Sequence, residues 1–585
     1  MAETIVSPGV LAIENDQSFI TQAPVQAGAA IIGPTVKGKV GIPTLVTTFS
    51  DYQNKFGTTF LSGSQTYTYF TSISAYNYFN GGGTSLLVTR VVSGSTITDW
   101  TPATSSFISA SSHAAGAPYN TNVFVLETIS EGEMMNSTGP TGSNGTLLSG
   151  SANNFRWQIV SPNINAGTFT LLIRQGNDTT TFPSIIETWG PLSLDPFSAN
   201  YIEKIIGNQI EVVSNDPSTG EYYVQLSGSY PNQSAYVRVK QVNQPTPSYF
   251  DNNGNPKAQF TGSLPIASSG SFGDGKGSNI PTGVAGAYYE NISATNIQGL
   301  VANEYTESIA LLANKDAYNY NFITAPGLIG NSSFHFPVVS QLITMVQNRG
   351  DAMAIIDVVG YNSNLIPVNT AASAFDTSYA ATYWPWLKTI DPNYGNQVWV
   401  PASTMVPGVY AFNDNVAFPW FAPAGINRGI MTTTIQTERV LTQANRDSLY
   451  QNNVNPIATF PGSGVTVFGQ KTLQKKKSAL DRVNVRRLLI ELKNFISQVG
   501  DTFVFEQNNA ITRNNFLSII NPYLSSVQQQ QGLTTFRVVM DESNNPPSVV
   551  DNNQLVGQIY LQPTRTAEFI ILDFNILPTG ATFPA

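Results

Sequence analysis

The segment Gly270-Ser-Phe-Gly-Asp-Gly275-Lys276-Gly277 comes nearest to enzyme chemistry. It nearly satisfies the phosphate-cradling loop G-x-x-x-x-G-K-[ST], in which backbone amides hold phosphates and a hydroxyl binds magnesium. Gly277 stands where the hydroxyl is needed, no clear strand precedes the segment, and Ser278-Asn-Ile-Pro281 follows where a helix should start. It therefore reads as a flexible Gly-rich linker. Asp357 closes the apolar run Met353-Ala-Ile-Ile-Asp357, at the kind of strand end where carboxylates of α/β enzymes act. No partner base, nucleophile or metal cluster accompanies it. The only imidazoles, His113 and His335, lie far apart without clustered carboxylates, which argues against zinc and against a histidine-dependent triad. His335 has no G-x-S-x-G elbow nearby. The absence of cysteine excludes disulfides, thiolate metal sites and a cysteine nucleophile. These residues assign no catalytic, cofactor-binding or metal site.

Charge is more informative. Only 11% of the 585 residues are charged, against about 25% in an ordinary soluble protein. The polar surface must then be built from Asn, Gln, Ser, Thr and Gly. Such a surface repels itself weakly, which suits a subunit touching many copies of itself; a compositional habit of the lineage is the other explanation. The net charge of −9 argues against a general nucleic-acid binder. Against this background Lys471, Lys475, Lys476, Lys477, Arg482, Arg486, Arg487 and Lys493 crowd into one short segment. On a helix wheel Arg482, Arg486 and Lys493 line up beside an apolar stripe. They form either a solvated helix face or an electrostatic dock for an acidic partner, which sets register more than affinity.

The elements that carry these residues follow from periodicity. Residues 1–25 read as an extended arm, with Ile5, Val6, Val10, Leu11 and Ile13 as strand formers that lack neighbours for a core. Residues 26–92 hold a buried strand near Ala29–Ile32, a helix near Tyr67–Phe79 stopped by Gly81-Gly82-Gly83, and a buried strand at Leu86–Val92. Residues 93–285 turn Ser-, Thr-, Gly- and Asn-rich and read as a β-rich insertion of one or two domains. Across 286–463 strands and helices alternate, which predicts an α/β layer with a largely parallel sheet. Residues 464–565 form an α+β unit. Its first helix carries Val485, Leu488, Leu489, Leu492, Phe495 and Ile496; its second carries Phe516, Ile519, Ile520, Leu524 and Val527, kinked or restarted at Pro522. Residues 566–585 form a terminal arm in which Ile570, Leu572, Phe574 and Ile576 share one face. The start lacks the basic and apolar regions of a secretory peptide, and no run approaches the ~20 apolar residues that cross a bilayer.

An ordered series of short blocks then resembles contractile bacteriophage tail sheath proteins. Ser7-Pro-Gly-Val10, Gly33-Pro34, Gly41-Ile-Pro43 and Phe49-Ser-Asp-Tyr-Gln-Asn-Lys-Phe-Gly57 are similar to the family's amino-terminal signature. Phe79-Asn-Gly-Gly-Gly83, Val88-Thr-Arg-Val91, Tyr383-Trp-Pro-Trp-Leu387, Val406-Pro-Gly-Val-Tyr410 and Ala422-Pro-Ala-Gly425 continue in order. Val454-Asn-Pro456, Gly469-Gln-Lys-Thr-Leu473, Val483-Asn-Val-Arg-Arg-Leu488, Asp541-Glu-Ser-Asn-Asn-Pro546 and Ala567-Glu568 complete it. Gln470 and Lys471 stand where the family favours small and Arg residues.

The resemblance implies a non-enzymatic subunit of stacked hexameric rings around a tail tube, meeting baseplate and tail terminator proteins. It implies no cofactor, nucleic acid or membrane, and a virion component assembled in the host cytoplasm. It also implies a subtilisin-like middle domain without catalytic residues, and terminal arms that add strands to other copies. Arg482, Arg486 and Lys493 are then expected to face the tube or an adjacent ring. A non-phage contractile injection device uses the same physics, and a hydrolase on the α/β layer is the competing class.

Overall fold

The structure, a computed structural model, describes residues 25–62, 65–94, 99–110, 122–137, 139–279 and 289–568. The arm residues Ile5, Val6, Val10, Leu11, Ile13, Ile570, Leu572, Phe574 and Ile576 lie outside the described residues, as does His113.

The chain is organised on an eight-stranded sheet. Its strands are β1 (Val25–Gly33), β2 (Thr44–Val46), β3 (Leu86–Arg90), β4 (Tyr318–Ile329), β5 (Met353–Asp357), β6 (Ala380–Trp384), β7 (Asn455–Phe460) and β8 (Gly464–Val467), in the spatial order β2-β3-β1-β4-β5-β6-β7-β8. The six central strands run parallel, and β2 and β8 close the two sides antiparallel. Every residue of β3, β5 and β6 is buried, the pattern of parallel strands covered on both faces. The strand period of two sorts β1 between two cores: Ala29 and Ile31 face one, Ala30 and Ile32 the other.

Helices α1 (Phe70–Asn80) and α3 (Ala402–Val416) cover the first face, and α2 (Phe336–Arg349) covers the second through Val338, Leu342 and Val346. The Gly81-Gly82-Gly83 stop lets α1 and α3 touch backbone to backbone, because a Cβ at Gly81 would lie 2.1 Å from the Gly408 carbonyl oxygen.

Between β3 and β4 the chain builds a separate seven-stranded sheet, from Pro102–Ser105 through Ser268–Gly273, around its own core of Phe124, Trp157, Phe169, Leu171, Val237 and Phe272. The expected Gly-rich linker is part of it. Ser268–Gly273 pairs with Phe155–Asn163 on one side and with Pro102–Ser105 on the other. A Cβ at Gly270 would lie 2.2 Å from Ser106 Oγ and 2.5 Å from the Trp157 ring. The glycine thus admits a close neighbour in a sheet, not a phosphate. A hairpin of this region, Ile210–Asn215 with Tyr222–Ser227, turns back to the main domain. Val213, Tyr222 and Val224 pack on the second core, and Lys39 Nζ meets Glu211 at 2.6 Å.

The C-terminal unit comprises α4 (Val483–Asp501), α5 (Ala510–Gln529) and strands β9 (Leu533–Val539) and β10 (Gln558–Pro563). Leu488, Leu492, Phe516, Ile520, Leu524 and Val527 close its core. Two expectations need correction. α5 runs unbroken through Pro522, which excludes the restart. Ile519, placed on the buried stripe by periodicity, is 42% exposed.

Candidate functional site

The polar chemistry of the sequence motifs converges where the C-terminal unit meets the α/β sheet. Asn455, at the start of β7, fixes the chain beyond β8: its amide donates to the carbonyls of Lys471 (2.7 Å) and Thr382 (3.1 Å), and its oxygen accepts the Lys471 amide (2.6 Å). This sets Gln470 and Lys471 against the start of α4. Arg482, the residue before α4, reaches the carboxylate of Glu568 through Nε (2.6 Å) and a terminal nitrogen (2.9 Å). Tyr450 donates its hydroxyl to the same carboxylate at 2.8 Å. The Gln470 amide donates to Glu568 (3.1 Å) and to Thr566 Oγ1 (2.6 Å). Burial works against the Glu568 carboxylate, but bonds from Arg482 and Tyr450 and the Arg482 charge outweigh it and hold its pKa below the ordinary value. The site is an anchor clamping the root of the C-terminal segment to the body.

The expected line of Arg482, Arg486 and Lys493 is broken by packing. Arg486 is 3% exposed; it donates to Ser378 Oγ and stacks 4.0 Å from the Tyr379 ring centre. Its predicted tube or ring contact is therefore corrected: the guanidinium is spent on holding α4 to the loop before β6. Arg482 is committed to Glu568 and Asp481. Lys493 is exposed beside the Tyr379 hydroxyl at 3.4 Å. Arg487, read only as a member of the cluster, is buried against Asp414 of α3 with its guanidinium 4.6 Å from the Tyr410 ring. The helix wheel marked these cations as one face but could not show that a second domain covers most of it.

The enzyme candidates resolve into structural roles. His335 is buried; its Nδ1 accepts the Ile329 amide (3.1 Å) and its Nε2 lies 3.0 Å from the Ser293 carbonyl, which fixes a neutral Nε2–H tautomer. Asp357 accepts from the Ser403 amide at 3.0 Å and from the Ser403 hydroxyl, at the start of α3. Burial pushes its carboxyl up to about 7, opposed by the two bonds from Ser403. No group of three metal-ligating side chains occurs among the described residues, and no described helix is long and apolar enough to cross a membrane. Sequence reasoning missed the roles of Tyr450, Gln470, Glu568 and Ser403. The signal within reach was the departure at Gln470 from the motif, since its side chain ties down Thr566 and Glu568.

β9 and β10 pair only with each other among the described residues. Phe536, Val538, Ile559 and Leu561 pack on the C-terminal core, while Arg537, Tyr560 and Gln562 face outward. The two-stranded sheet lies on a helical layer, and among the described residues no further strand pairs with either of its outer edges.

Residues 298–473 match the phage tail sheath protein central domain, and residues 475–577 match the phage tail sheath C-terminal domain. The tail sheath protein of Vibrio phage KVP40 is 32% identical over 350 residues, covering 57% of this chain and 51% of that protein. The tail sheath protein of Enterobacteria phage T4 is 31% identical over 327 residues, covering 52% of this chain and 49% of that protein. The chain thus spans about half the length of the curated relatives it matches. A crystal structure of the sheath tail protein from Listeria innocua matches 92% of this chain and 96% of that one, with a TM-score of 0.50 and 11% identity, a likeness of fold alone. By these matches the chain is similar to contractile phage tail sheath proteins.

Proposed function

We propose that this chain is the structural subunit of a contractile phage tail sheath. It polymerises as stacked hexameric rings around a tail tube, above a baseplate and below a terminator, and contracts to drive the tube through the host envelope. Assembly takes place in the host cytoplasm, and the subunit acts without catalysis or cofactor. Its α/β domain is a subtilisin-like layer whose strand-end carboxylate, Asp357, serves to cap α3.

The observation that carries this reading is the β9–β10 pair, to whose outer edges no other strand is joined among the described residues, in a chain whose ends at 1–25 and 566–585 have strand composition. Each ladder bond contributes roughly 0.5–1.5 kcal/mol net, so an added strand of about five bonds contributes several kcal/mol. Links of that size persist while the bodies slide and repack. The arms then act as hinged tethers, the body interfaces hold the energy difference, and the extended lattice is kinetically trapped. Exposed Lys493 is left to face the tube or the next ring.

Electron microscopy of purified protein tests the proposal: the full chain is expected to form hollow cylinders, and deletion of residues 1–20 or 566–585 to leave a folded, non-polymerising subunit. Normal cylinders from either truncation would refute the tethers.

A further inference from the structure

A cleft of about 1000 Å³ opens beside the Glu568 anchor, between the α/β domain and the C-terminal unit. Its lining gathers Lys471, Lys475, Lys477, Arg482 and Arg565 against two carboxylates, Asp481 and Glu568. Arg482 satisfies both acids, at 3.1 and 2.6 Å, and Lys471 Nζ donates to the Tyr450 carbonyl at 2.6 Å. Lys475, Lys477 and Arg565 are exposed, and none is held in an ion pair among the described residues. Asp376, which accepts the Lys475 backbone amide at 2.9 Å, stands outside the lining. A chain of net charge −9 thus concentrates a positive surplus in one concavity, where low-dielectric walls focus the field on an acidic occupant.

The chain carries such an occupant. Residues 1–24 contain Glu3, Glu14 and Asp16 and no lysine or arginine. In an extended segment Glu14 and Asp16 project from one face about 7 Å apart, and Lys475 and Lys477 are likewise two residues apart in sequence. The strand formers Ile5, Val6, Val10, Leu11 and Ile13 precede the acidic pair. β10 ends at Pro563, itself part of the cleft wall. A strand added along β10 therefore delivers its flanking residues to the cleft.

We infer that this cleft is an electrostatic receptor for Glu14 and Asp16 of a second copy of the chain, setting the register of the added strand. The inference rests on the sheath reading, because it takes the amino-terminal segment to cross between copies. Lys475 and Lys477 are the pairing residues, and Arg565 guards the mouth.

The test mixes unlabelled and ¹⁵N-labelled full-length chain under assembly conditions and applies a zero-length amine–carboxylate cross-linker. Isotopically mixed links from Glu14 or Asp16 to Lys475 or Lys477 are expected. The double reversal Lys475→Glu with Lys477→Glu is expected to raise the concentration needed for assembly about tenfold. Mixing that variant with a Glu14→Lys, Asp16→Lys chain restores assembly in trans. Polymers whose Glu14 and Asp16 cross-link elsewhere, or only within one copy, overturn the receptor and leave the sheath reading standing. Failure of the unsubstituted chain to polymerise overturns both.

Discussion

Replacing Glu568 by Gln isolates the anchor at the root of the C-terminal segment. The substitution keeps size and one acceptor but removes the charge that receives two bonds from Arg482, at 2.6 and 2.9 Å, and one from Tyr450 at 2.8 Å. The side chains are shielded, at 25% exposure for Arg482 and 17% for Glu568. Hydrogen bonds to charged groups contribute about 1.5–3 kcal/mol each, and the amide retains part of them. A net loss of about 2–3 kcal/mol is therefore expected, equivalent to a roughly 30- to 150-fold rise in local opening.

The Thr564 amide, which donates to the Gly532 carbonyl at 3.1 Å, reports that opening by hydrogen exchange. The depressed pKa fixes the sign with acid. The contribution is complete above the ordinary carboxylate value of 4.5 and is lost as pH falls through the lower folded value. The native chain should approach the Gln variant only in strong acid, while the variant is loose throughout. Unchanged Thr564 exchange in the variant, or an equal change at the β5 amides, would refute the local anchor.

Asp357→Asn should reduce a pH slope. With a folded value of about 7 against 3.8 for an ordinary aspartate, the folded chain keeps its proton longer, so native stability declines as pH rises from about 4 to 7, by at most about 4 kcal/mol. Urea midpoints at pH 4.5 and 8 should lie closer together for the variant than for the native chain, because half-buried Glu438, raised to about 6, keeps part of the slope. Gly270→Ala should destabilise the insertion by about 1–3 kcal/mol through collision with Ser106 and Trp157; Trp157 quenching should change while exchange in β5 does not.

Where packing is periodic, the residues announce it. Met353–Asp357 is apolar at every position but the last, and only a strand covered on both faces uses such a run. Leu488, Leu492, Ile520 and Leu524 likewise follow the helical period that brings them into one core. Periodicity fails where a second domain supplies the neighbour. Arg486 and Lys493 share a helix face, yet Tyr379 and Ser378 bury the first and leave the second in water. Gly270 fails differently: glycine marks a loop and a crowded sheet alike, and Trp157, more than one hundred residues earlier, decides between them. The Glu568 anchor joins residues 450, 470, 482 and 568, a set no local window spans.

The position of the β-rich insertion also dictates a timetable. β1 must zip onto β4, but roughly 230 residues separate Arg90 at the end of β3 from Tyr318 at the start of β4. At ~5–20 residues per second, a ribosome needs about 10–45 s to deliver the missing strand. The insertion, with a core of its own, can mature in that interval while the first ninety residues wait with an open sheet edge. β9 and β10 emerge last of the described strands. On the proposed sheath reading, a nascent chain therefore cannot offer this last sheet to finished copies until the body behind it has been made, which would protect a growing polymer from capture by half-built subunits.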